Sequence, residues 1–167
     1  RQGDVTRERF RLSEPALATK ELLERTISKR IEVQTELEPA LWAIEGDRNL
    51  IGQALMNVCL NAVEAMPHGG TLTISAKNVV LDDVSCRDWT GVKPGDYVLL
   101  EVSDTGEGMV RESLDRAFEP FFTSKSLGQG AGLGLSIVYG TMRGHGGAAK
   151  LSSAMGIGSL ASMLLPA

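Results

Sequence analysis

The run Gly128-Gln129-Gly130-Ala131-Gly132-Leu133-Gly134-Leu135 sets a glycine at every other position just before Ser136-Ile137-Val138-Tyr139, an apolar stretch that reads as a helix start. With no Cβ in the way, backbone N–H groups at such glycines can approach a phosphate, and a helix N-terminus adds a fixed positive field. Upstream, Asp104-Thr105-Gly106-Glu107-Gly108-Met109 ends the strand-like Tyr97-Val98-Leu99-Leu100-Glu101-Val102 with a carboxylate and a sharp turn. A strand-end aspartate can accept a hydrogen bond from a base amine, and the glycines after Asp104 favour that role over an ordinary turn former. Further upstream, Asn57 and Asn61 are four apart and so share a helix face. Two amides on an otherwise apolar helix are costly to bury unless something satisfies them, and a ligand would satisfy both. The three features together indicate a nucleotide site.

Register excludes the common phosphate-binding motifs. A Walker loop closes on Gly-Lys-Ser/Thr, but Lys125 precedes the glycine run and no Lys-Ser or Lys-Thr follows it. A dinucleotide fingerprint begun at Gly128, Gly130 or Gly132 puts Leu133, Leu135 or Ile137 where its third glycine belongs. The chain contains neither a His-Arg-Asp nor an Asp-Phe-Gly tripeptide, so the protein-kinase loops are missing as well.

What remains resembles the ATP-binding catalytic domain of bacterial sensor histidine kinases, within the superfamily that also holds type II topoisomerase, heat-shock chaperone and mismatch-repair ATPases. The N box matches Gln53-Ala54-Leu55-Met56-Asn57-Val58-Cys59-Leu60-Asn61-Ala62-Val63-Glu64-Ala65-Met66, and the first G box runs from Asp104 to Met109. The F box matches Phe118-Glu119-Pro120-Phe121-Phe122-Thr123-Ser124-Lys125, and the second G box runs from Gly128 to Leu135. Each box alone is a weak signal; four in family order over roughly residues 30 to 166 is a specific one. Pro67-His68-Gly69-Gly70-Thr71-Leu72 and Ser136-Ile137-Val138-Tyr139-Gly140 are similar to the subgroup with nitrogen-regulation and hybrid sensor kinases.

The resemblance implies a Bergerat-type ATP-binding fold with ATP and Mg²⁺ as cofactors. By that resemblance Asn61 offers its side-chain oxygen to Mg²⁺, a hard ion that takes oxygen ligands, and Asn57 approaches the phosphates. Glu64 either orients water around the metal or forms a surface ion pair. Lys125 either reaches a phosphate, making it catalytic with Asn57 and Asn61, or is a solvated loop charge. Asp104, Gly106, Gly108 and Met109 surround the base; Phe122 and Thr123 contribute from the F box, though one of Phe121 and Phe122 is expected to anchor in the core. Gly130, Ala131, Gly132, Leu133, Gly134 and Leu135 complete the nucleotide site. The family phosphorylates a histidine followed at once by an acidic residue on a separate dimerisation domain. His68 and His145 are each followed by two glycines and read as helix-stop or turn residues. The phosphoacceptor is therefore expected before Arg1 in a longer protein or on another protein, with a response-regulator receiver domain downstream. Superfamily members that hydrolyse ATP to drive a conformational cycle carry a glutamate at the position of Asn57, where an amide cannot act as a general base; a non-catalytic nucleotide-binding module is the other alternative.

At 167 residues, 43% hydrophobic and 23% charged, the chain suits one globular domain. A net charge of −4 with scattered basic residues argues against a general nucleic-acid partner. Cys59 and Cys86 form no metal-binding spacing and suit a reducing cytoplasm better than a disulfide framework. No stretch approaches the ~20 apolar residues of a membrane span, so any anchor and any membrane contact would lie outside this chain. Residues 1–12 read as a linker end and 13–167 as the domain. Helices are expected over 13–29, with Ser13 as the cap before Pro15, over about 48–66 after the Asp47 cap, over 111–117 and over 133–142. Strands are expected around 31–37, 41–44, 71–80, 97–102, 149–153 and 159–165, with the segments over 31–37 and 41–44 flanking a turn at Glu38-Pro39. Residues 81–96 read as a polar loop, and 118–130 as a glycine- and phenylalanine-bearing lid. The elements segregate poorly into βαβ units, which favours an α/β, two-layer sandwich with about three helices on one face of a mixed, largely antiparallel sheet.

Overall fold

A computed structural model describes residues 6–107 and 133–167. Five strands form the main sheet: β2 (Ile31–Leu37), β4 (Gly70–Leu81), β5 (Gly95–Asp104), β6 (Ala148–Ala154) and β7 (Gly158–Pro166). Their order is β2-β4-β5-β7-β6, with β2 parallel to β4 and every other neighbour antiparallel. A two-stranded sheet joins β1 (Glu8–Phe10) to β3 (Ile44–Gly46). Helices α1 (Ser13–Thr26), α2 (Arg48–Glu64) and α3 (Leu133–Gly144) pack on one face of the main sheet.

Period-2 alternation decides which face that is. Leu72, Ile74 and Ala76 of β4, Val98, Leu100 and Val102 of β5 and Met163 and Leu165 of β7 point into one core with the helices. The intervening Thr73, Ser75, Lys77, Glu101 and Ser103 make part of the opposite face polar. The α/β two-layer sandwich expected from the sequence is the fold observed.

Several local expectations need correction. Residues 8–12 are part of the folded unit: β1 pairs with β3, and Phe10 and Leu12 are buried. The segment after Glu38-Pro39 does not form a hairpin with β2, because Asn78 captures it. The Asn78 amide donates to Glu38 Oε2 at 2.8 Å and to the Ala40 carbonyl at 2.9 Å, and its oxygen accepts from the Trp42 N–H at 2.8 Å. The strand resumes only at Ile44, and β3 finds β1. Helix α1 ends at Thr26 and has Leu12, not Ser13, at its N-cap, with no side-chain cap bond. Its core stripe is Pro15, Ala16, Thr19 and Leu23, while Leu17 and Leu22 face solvent, as does Leu50 on α2.

The expected polar loop after β4 is a strap. A short 3₁₀ turn, Ser85–Asp88, leads into Trp89, which joins Leu81, Tyr97 and Leu164 in a second apolar cluster on the face away from the helices. Lys150 Nζ stands 4.1 Å from the Trp89 ring centroid, and Arg143 donates to the Thr90 carbonyl at 3.0 Å. The short helix expected over 111–117 and the lid over 118–130 lie outside the described residues.

Candidate functional site

Helix α2 carries the asparagine pair. Asp47 caps it, its Oδ1 accepting from the Asn49 and Leu50 N–H groups at 2.9 and 3.1 Å. Ile51, Ala54, Leu55, Val58, Cys59 and Ala62 bury one side of the helix, which leaves Asn57 and Asn61 half-buried and Glu64 exposed on another. Among the described residues no side-chain hydrogen bond takes up either asparagine amide. Burial pushes the Cys59 thiol up to about 12, so this cysteine is packing material.

Asp104 is half-buried at the end of β5, opposite Leu72 of β4 and Ser159 of β7. Its Oδ1 accepts from the Gly106 N–H at 2.8 Å and from the Ser159 N–H at 3.3 Å. The turn is bolted to the end of α2: Glu107 donates its N–H to the Ala65 carbonyl at 3.2 Å. Gly106 is required there, since a Cβ would run into the Ala65 carbonyl. Thr105 Oγ1 accepts from the Thr71 N–H at 3.0 Å and lies 3.8 Å from the Met66 sulfur. The carboxylate and the asparagines are thus held in one frame. With a rise of about 1.5 Å per residue, Asn61 and Asn57 lie roughly 6 and 12 Å along the helix from Ala65.

Helix α3 begins beside Asn61. A Cβ on Gly134 would stand 3.6 Å from Asn61 Nδ2. The helix N-terminus, with its outward N–H groups and positive field, therefore lies beside Asn61. Leu135 packs against the core, and Val138 and Met142 are buried.

The structure thus brings together Asn57, Asn61, Glu64, Asp104, Gly106, the Leu133 backbone, Gly134 and Leu135. Gly108, Met109, Phe122, Thr123, Lys125, Gly130, Ala131 and Gly132 lie outside the described residues. Three contributors escaped the sequence reading. Gly158, at φ 145°, has no room for a Cβ against the Asp104 carbonyl. Thr105 fastens the turn to β4. His145 Nδ1 donates to the Thr141 carbonyl at 2.7 Å and Nε2 accepts from the Asp47 N–H at 3.1 Å, tying the end of α3 to the start of α2. The Met155-Gly156-Ile157-Gly158 turn was legible as a hairpin; its contact with Asp104 was not.

Among the described residues no helix is long and apolar enough to cross a membrane, and no group of three or more His, Cys, Asp or Glu side chains could hold a metal ion.

Comparison with known proteins agrees with this geometry. A family described as histidine kinase-, DNA gyrase B- and HSP90-like ATPase matches residues 46–167. The sensor kinase CckA of Brucella abortus is 38% identical over 145 residues, 87% of this chain and 15% of that protein. The sensor histidine kinase ZraS of Salmonella typhi is 33% identical over 139 residues, 83% of this chain and 26% of that protein. The chain therefore spans about a quarter or less of the length of these relatives. The nucleotide-free catalytic domain of the histidine kinase ThkA superposes with a TM-score of 0.77 at 27% identity, covering 98% of this chain and 96% of that one. The four boxes, the sandwich and these matches concur: the chain belongs to the histidine kinase-, DNA gyrase B- and HSP90-like ATPase family and is homologous to the catalytic domains of sensor histidine kinases.

Proposed function

We propose that this domain binds Mg·ATP along α2 and transfers the γ-phosphoryl group to a histidine on a dimerisation domain supplied by a longer protein or by another chain, with a response-regulator receiver as the next acceptor. The observation that carries this reading is the common frame of Asp104, the asparagine pair and the α3 N-terminus. A nucleotide lying along α2 would set its base amine against the Asp104 carboxylate and its phosphates between Asn57, Asn61 and the glycines that open α3. The charge-assisted bond at Asp104 selects an adenine amine, which guanine does not offer in that place.

The residues present suit Mg²⁺. The ion keeps several waters and is usually held by one or two protein oxygens plus phosphates, so the Asn61 amide, with no carboxylate cage among the described residues, is an appropriate donor. When bound, Mg²⁺ neutralises developing charge on the transferring phosphoryl group. The protein's own part is positioning. Asn61 holds the ion's side of the phosphates, Asn57 orients them, Lys125 supplies positive charge and Glu64 orders water nearby. Asn57 cannot accept a proton from water, so the site favours transfer over hydrolysis.

Incubation with γ-labelled ATP, with and without a histidine-bearing dimerisation domain, tests this. Label should appear on the added domain only, acid-labile and base-stable, and Asn61→Ala or Asn61→Asp should abolish it while leaving the fold intact. Label on this chain alone would refute the division of labour. Rapid phosphate release without an acceptor would instead support an ATPase.

A further inference from the structure

A cavity of about 610 Å³, within the range of small-molecule pockets, opens among Arg9, Phe10, Arg11, Trp42, Asp96 and Ala167, the residue after β7. It is remote from the nucleotide site. Asp96 and Asp104 belong to the same strand eight residues apart (104 − 96), about 26 Å at ~3.3 Å per residue.

The walls of the cavity are fixed while the groups facing it stay accessible. Phe10 is buried and its ring centroid lies 4.6 Å from the Arg48 guanidinium carbon, which makes a firm floor. Arg48 also holds Glu8 at 3.1 Å and Glu14, so Glu14 on the wall already has a cationic partner. Arg11 Nε donates to the Leu41 carbonyl at 3.0 Å, which anchors its guanidinium at the rim. Trp42 is 36% exposed, although its backbone is held by Asn78. Among the described side chains that line the cavity, the acid other than Glu14 is Asp96.

We propose that this cavity is a second ligand site that takes a nucleotide-like molecule. Arg9 and Arg11 would receive the phosphate, for which planar guanidinium forks are suited. The base would stack on Trp42, which offers a rigid aromatic face, and Asp96 would accept an N–H or hydroxyl from the base or sugar. The aromatic face and the carboxylate are what distinguish this from a site for a simple anion. An occupant would fasten β1 to the Ala40–Ala43 stretch of the connector, which runs on into β3 and the Asp47 cap of α2.

The test uses the emission of Trp42 in a Trp89→Phe background, since these are the two tryptophans of the chain. GMP and AMP should quench it saturably below about 1 mM, and inorganic phosphate should compete at least tenfold more weakly. Arg9→Glu should weaken nucleoside monophosphate binding at least tenfold while calorimetric ATP affinity is retained, which shows the fold intact. Asp104→Asn should leave the Trp42 titration unchanged. Absence of quenching by both nucleotides, a response insensitive to Arg9→Glu, or one abolished by Asp104→Asn would each overturn the proposal; the last would place the nucleotide in the ATP site.

Discussion

Asp104 closes its own turn and is placed to read a base, and a single substitution separates the two roles. Asparagine keeps an oxygen for the Gly106 and Ser159 N–H groups but loses the charge. Asp104→Asn should therefore shift folding stability by less than about 1 kcal/mol while weakening ATP binding tenfold or more, the loss expected of a charge-assisted bond at about 1.5–3 kcal/mol. Calorimetric titration beside urea denaturation reads both. Cys59 gives a prediction of opposite character. Its thiol is raised from an ordinary 9.0 to about 12 by burial, so below pH 9 it is neutral in both states and its contribution to stability is complete. Between about 9 and 12 the unfolded chain releases a proton that the folded chain retains, and stability falls as pH rises. A Cys59→Ala variant should lose part of that alkaline slope. In the folded wild type a maleimide should label the half-buried Cys86 and reach Cys59 only after denaturation.

At the scale of elements, the decisive contacts join the ends of helices. Asp47 caps α2 with its side chain and gives its own N–H to His145, so the start of the asparagine helix and the end of the helix beside Asn61 share one pair of residues. His145→Ala would strand the Asp47 N–H and free the last turn of α3, at about 1–3 kcal/mol. Asp47→Ala would remove the cap at about 1 kcal/mol. Because Asp47→Ala keeps the backbone N–H that His145 accepts, the two variants remove different bonds and the double variant should lose close to the sum of the singles. Guanidinium denaturation of the three variants checks this, and a double variant that loses clearly less than the sum would show that removing the cap also breaks the His145 bond. The Asn78 hub works in the same way on the other side of the fold, holding the connector from Glu38 to Trp42 away from the hairpin that its sequence suggests.

For the whole molecule, ligand binding and folding are linked, since the proposed site exists only when α2, β5 and α3 are assembled. ATP with Mg²⁺ at about a hundred times its Kd should stabilise the domain by about 2.7 kcal/mol, which for a chain of this size raises the melting midpoint by roughly 5–10 °C. Equimolar GTP should have little effect, and Asn61→Ala should remove the Mg²⁺-dependent part; equal shifts with both nucleotides would contradict the base selection assigned to Asp104. Much of this molecule follows from local rules readable along the chain. The apolar spacing of α2, the Asp47 cap, the alternation in β4, β5 and β7 and the glycine boxes each depend on residues within a few positions of one another, and they led to the sandwich and to Asn57, Asn61 and Asp104. Other features rest on partners far apart in sequence. That Glu8 to Phe10 would be a strand depended on β3 36 residues later (Glu8 opposite Gly46, Phe10 opposite Ile44). That Trp89 would cover a sheet face depended on Leu164 and Lys150, and that His145 would join two helices depended on the Asp47 N–H. Composition made residues 1–12 and 81–96 look irregular because their polar residues outnumber their apolar ones. Apolar side chains among them such as Phe10, Leu12 and Trp89 became structural only when tertiary assembly brought up surfaces against which they could pack.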